Sequence, residues 1–142
     1  MQDKALTAAD YPTAETQPDK VTGNRGKPLS SLTLDAVVRG EVEMEDLRIT
    51  PTALLQQAQI AKSVGRTALA DNLERAAEMT CIPQDEVMAI YELLRPGRAD
   101  AKESLLIAAK RVRENHDAPR LADFLEEAAE FYHKRGLFRK RF

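Results

Sequence analysis

Residues 47–96 read LRITPTALLQQAQIAKSVGRTALADNLERAAEMTCIPQDEVMAIYELLRP, and the punctuation of this stretch decides the fold. Proline pushes the residue before it out of helical geometry, which is what an N-cap needs, and Pro itself loses no hydrogen bond at the first helical position. Thr50-Pro51 therefore predicts a helix start, with Ile49 and Leu54 at the staple positions around it. Leu54, Ala58, Ala61 and Val64 form a helical stripe that stops at Gly65. A second helix is predicted over 67–80, with Leu69, Leu73, Ala76 and Ala77 inward. Pro83 opens a third, in which Val87, Ile90, Tyr91 and Leu94 follow the i, i+3, i+4, i+7 rule before Pro96-Gly97 ends it.

The same signals extend outward. Upstream, Thr33 is placed to cap a short helix whose Leu34, Val37 and Val38 share one face, with Leu32 able to staple against Val37 and Gly40 suited to its end. Downstream, Asp100 and Glu103 have capping-box spacing ahead of Leu105, Ala108, Ala109 and Val112. Asp117 with Pro119 starts the last helix, where Leu121, Phe124, Leu125, Ala128 and Tyr132 share a face up to Gly136. No stretch alternates apolar and polar long enough to argue for a strand. The expected fold is all-α: a small helical domain of about five to six helices preceded by an extended N-terminal arm.

Composition divides the chain near residue 32. The arm, 1–31, holds Pro12, Pro18, Pro28, Gly23 and Gly26 without sustained periodicity, so it is expected to add little to a core. Its evident anchor is Tyr11-Pro12, an aromatic beside a stiff residue that can dock at small entropic cost. The helical domain is expected over 32–136 and a basic tail over 137–142.

At 142 residues, one domain is expected. Lys and Arg total 21 against 23 Asp and Glu, a net charge of −2, so no general field attracts nucleic acid or an acidic membrane. Cys81 is the only cysteine, which excludes an intramolecular disulfide; between Thr80 and Ile82 it is expected to pack as a small hydrophobe. A reducing cytoplasm fits that usage. No window resembles a signal peptide or reaches the roughly 18 apolar residues of a membrane span, so a soluble intracellular protein is expected.

Chemistry is sparse. His116 and His133 have no neighbouring thiolates, and a zinc site needs about four ligands. Glu43/Glu45 and Glu126/Glu127 lie among other charges and read as solvated helix faces, without the contrast of environment that splits catalytic carboxylates. The turn from Ala61 to Gly65 suggests a helix-turn-helix, but Asp71 and Glu74 fall where its second helix needs apolar residues, and Asp71, Glu74 and Glu78 would face phosphates. The C-terminal run Lys134-Arg-Gly-Leu-Phe-Arg-Lys-Arg-Phe142 suits a helix C-terminus and, beyond that, docking on an acidic partner surface. Neither catalytic, cofactor-binding nor metal-ligating residues are assigned.

Short motifs in fixed order carry a family resemblance. They are Asp10-Tyr11-Pro12, Gly26-Lys27-Pro28-Leu29, Leu32-Thr33-Leu34, Asp46-Leu47-Arg48-Ile49-Thr50 and Gln57-Ala58-Gln59-Ile60-Ala61. Asn72, Arg75-Ala76-Ala77-Glu78, Ile82-Pro83, Ile90-Tyr91 and Leu94-Arg95-Pro96 follow. Together they resemble the small (gamma) subunit of the adenosylcobalamin-dependent diol and glycerol dehydratases. The register loosens at Gly97 and between Glu103 and Phe124, then resumes at Glu127-Ala128-Ala129 and Tyr132.

The resemblance implies a division of labour. Large and medium subunits hold substrate and adenosylcobalamin and carry out radical dehydration of 1,2-propanediol or glycerol to an aldehyde. The small subunit is a helical piece packed on the large one, in a dimer of heterotrimers. Candidate partner contacts on this chain are Tyr11, Pro12, Pro28, Arg48, Tyr91 and Arg95, all within the resembling motifs. Some family members bear a longer amphipathic N-terminal extension; ten residues precede Tyr11 here, so no such address is expected. Any place in a protein-shelled microcompartment would then come through partner subunits. The rival reading is a free-standing helical interaction or regulatory protein.

Overall fold

The computed structural model describes residues 4–138, which form two compact units, one up to Ala77 and one from Glu78. Among the described residues there is no strand, only an isolated antiparallel bridge between Thr22 and Pro28. The all-α expectation is met.

The N-terminal unit holds α1 (Thr13–Thr16), α2 (Leu34–Val38), α3 (Met44–Leu47), α4 (Pro51–Ser63) and most of α5 (Thr67–Met79). Helix α4 begins where Thr50-Pro51 predicts, and Thr50 Oγ1 accepts a hydrogen bond from Ala53 N at 3.0 Å. Its buried face is Leu54, Ala58, Ile60 and Ala61. Val64 does not continue the stripe: it is the C-cap, already outside helical geometry, and is exposed. Ile49 is exposed as well, so its staple position does not bury it. On α5 the inward set is Ala70, Leu73 and Ala77, with Leu69 turned out. Ala58, Ala61 and Ala70 form a small buried cluster, with Leu73 packed against it.

The arm is fastened to α4. Leu6 N donates to Gln59 Oε1 and Ala8 N to Ser63 Oγ, each at 2.9 Å. Leu6 and Thr13 are buried, so the arm supplies this unit with interior side chains that its composition does not advertise. Further along, the side chain of Asp46 is fully buried and gathers three groups onto Oδ2. Glu43 N donates at 2.9 Å, Arg25 lies at 3.2 Å and Lys27 at 3.8 Å. Gly23 passes so near α3 that a Cβ there would sit 2.9 Å from the Asp46 carbonyl oxygen.

The C-terminal unit is built on α6 (Gln84–Leu94), α7 (Lys102–His116) and α8 (Pro119–Arg135). Leu105, Ala109, Val112, Leu121, Ala122, Leu125 and Ala129 form its dry centre, with Ile82 and Ile90 beside them. The α7 stripe is as predicted, with Ala108 half-buried at its margin. The α6 stripe is rotated: Tyr91 faces out and Leu93 joins the core instead. Capping also differs. Ala101, not Asp100, is the N-cap of α7. Asp117 closes α7 in the left-handed region (φ 48°) and does not open α8. The first amides of α8 are met from outside the helix, by the Glu78 carboxylate, which accepts from Arg120 N (3.1 Å) and Leu121 N (2.8 Å). Gly136, at φ 64°, ends α8. Cys81 is exposed in the turn before α6, a correction to its expected packing: the turn leaves the side chain outside the core that Ile82 enters.

Two substitutions test this description. Thr50→Ala removes the cap of α4 and should cost about 1 kcal/mol in urea unfolding; an unchanged midpoint would mean that α4 starts elsewhere. Asp46→Ala removes acceptors from one amide and two cations that stay partly solvated, so a loss of about 2 kcal/mol is expected. Asp46→Asn, which keeps an acceptor for Glu43 N, should lose less in the same titration.

Candidate partner-docking site

Of the four candidate contacts in the N-terminal unit, Tyr11 and Pro12 line a cleft, and Pro28 and Arg48 lie outside its lining. The end of the arm and the first turn of α4 enclose a cavity of about 420 Å³, lined by Tyr11, Pro12, Thr13, Lys20, Thr22 and Asn24 on one side and Thr50 to Ala53, Gln56 and Gln57 on the other. Two turns set its arm side. Thr7 N (2.8 Å) and Thr7 Oγ1 (3.0 Å) donate to Asp10 Oδ2, and Gln17 Nε2 reaches Asp10 Oδ1. These bonds, that of the Thr7 amide foremost, hold the Asp10 carboxyl below its ordinary range. Thr16 Oγ1 then donates to the Asp10 carbonyl at 2.7 Å. Tyr11 and Pro12, joined by a cis peptide, ride on this frame, with Tyr11 exposed.

Pro28 pairs with Thr22 across the small bridge and so closes the loop that carries Asn24. Arg48 lies 3.6 Å from Glu45, whose carboxylate also accepts from Asn24 Nδ2 at 2.9 Å. Tyr11, Pro12, Pro28 and Arg48 thus all lie in the N-terminal unit, and Asn24, which lines the cleft, is tied through Glu45 to Arg48. Tyr91 and Arg95 belong to the other unit. They lie one turn apart at the end of α6, Tyr91 exposed and Arg95 paired with Glu92 at 3.0 Å.

Several features escape a sequence reading. Asp46 stands three residues after Glu43, the spacing that lets its carboxylate reach back to an N-cap amide, and that spacing was the available signal. The apolar face of α2 is turned outward: Leu34 and Val38 are each 78% exposed, and Ala36 is the residue that α2 buries. Thr33 caps α2 as predicted, accepting from Ala36 N at 3.2 Å. Among the basic residues at the end of α8, Lys134 and Arg135 stand over the Phe131 ring at 5.7 and 5.9 Å, which gives part of that run a structural use. The tail's Arg139, Lys140 and Arg141 lie outside the described residues.

Among the described residues no group of three or more His, Cys, Asp or Glu is placed to hold a metal ion, and no helix is long and apolar enough to cross a membrane. The arm cleft does not fit adenosylcobalamin. Its size is that of a site for a drug-sized ligand, below what a corrin with its nucleotide and adenosyl arms fills, and no histidine lines it.

The sequence model of a family described as dehydratase small subunit matches residues 6–139. The chain is 42% identical over 132 residues to the propanediol dehydratase small subunit of Salmonella typhimurium, covering 93% of this chain and 76% of that protein. It is also 42% identical over 126 residues to the propanediol dehydratase small subunit of Citrobacter freundii, covering 89% and 73%. With arm, cleft and both helical units inside the matched span, the chain belongs to the dehydratase small-subunit family.

Proposed function

We propose that this chain is the non-catalytic small subunit of a coenzyme B12-dependent diol dehydratase, which converts 1,2-diols such as 1,2-propanediol and glycerol to aldehydes. The observation that carries the reading is identity of 42% along 93% of the chain to a protein named for that role. The names of both relatives favour 1,2-propanediol over glycerol as the substrate of the complex. Substrate and cobalamin are held by large and medium subunits, and the cofactor supplies the radical chemistry there. The small subunit packs on and stabilises the large one, in a dimer of heterotrimers in the cytoplasm. Any microcompartment association runs through the partners.

Within this chain, residues 1–31 serve as the docking arm, 32–136 as the helical body and 137–142 as a basic tail. The contacts we assign to the partner interface are Tyr11, Pro12, Pro28, Arg48, Tyr91 and Arg95. Support comes from the exposure of Tyr11 and Tyr91 on well-fixed backbone, since rigid aromatics lose little entropy on docking.

The test is tagged purification from the host, with identification of partners and an aldehyde assay with and without adenosylcobalamin. Large and medium subunits should co-purify with cobalamin-dependent aldehyde formation. The isolated chain should form no aldehyde, and should cause no spectral change when titrated into adenosylcobalamin at micromolar concentration. Purification of the chain alone, or a spectral shift with the isolated chain, would overturn the reading.

A further inference from the structure

We draw no further inference here: the strongest candidate, the cleft between the arm and the first turn of α4, rests on a helix N-terminus that Thr50 already caps and at which Pro51 offers no amide, and nothing in the structure shows a ligand there, since the unpartnered Thr13 hydroxyl beside it is itself buried.

Discussion

The Asp46 carboxylate is the constraint on which the N-terminal unit turns. Burying an ion costs several kcal/mol unless its partners are well placed, and these come from two separate pieces of chain. Glu43 N belongs to α3 itself; Arg25 and Lys27 belong to the loop closed by Thr22 and Pro28. The carboxylate satisfies a helix terminus and two cations at once, and so makes arm loop and helix a single object. Gly23 is the steric half of the same arrangement, because only a residue without Cβ lets the loop lie against the Asp46 carbonyl. Lys27 Nζ adds a hydrogen bond to the Glu41 carbonyl just before α3. The loop that carries Asn24 to the cleft beside Tyr11 is held by this frame.

Helix starts and stops were legible in the sequence where a residue acts through its own backbone. Thr33, Thr50-Pro51, Pro83 and Gly136 bound helices as expected, because proline sterics, hydroxyl capping and a left-handed glycine are local effects. Helix faces were legible only where the chain covers them itself. Periodicity identifies residues that share a side, and in α7 that side meets α8, so Leu105, Ala109 and Val112 vanish into the core. In α2 the same pattern marks a side that the described residues leave largely open, Leu34 and Val38 above all. Tyr91 on α6 is a similar case, apolar enough to complete a stripe yet turned to water. Asp100 and Asp117 failed as N-caps for another reason: both have the composition of a cap, but the backbone turns one residue later at Ala101 and Ala118.

The candidate site was legible by motif and not by chemistry. Tyr11-Pro12, Pro28 and Arg48 are scattered over almost forty positions, and nothing in their identities says that Tyr11 and Pro12 line a cleft with Asn24, that Pro28 pairs with Thr22, or that Arg48 shares Glu45 with Asn24. Such links are made by backbone closure and neutral side chains, which carry weak sequence signals. The family resemblance supplied what physics alone could not, namely that the chain is one subunit of a larger assembly, and the dehydratase small-subunit family model matches residues 6–139.

The capping of α8 by Glu78 ties together two pieces of chain far apart in sequence. An N-cap side chain normally serves an amide two or three residues ahead of it, as Thr50 does for Ala53, so a helix start is usually a local matter. Here the Leu121 amide is met by a carboxylate 43 positions earlier, on the last turn of α5. Its negative charge faces the positive end of the α8 dipole, a favourable pairing that holds only while the two ends are docked. A change at Glu78 is therefore felt at the first turn of α8, where Ala118 supplies no side-chain cap of its own.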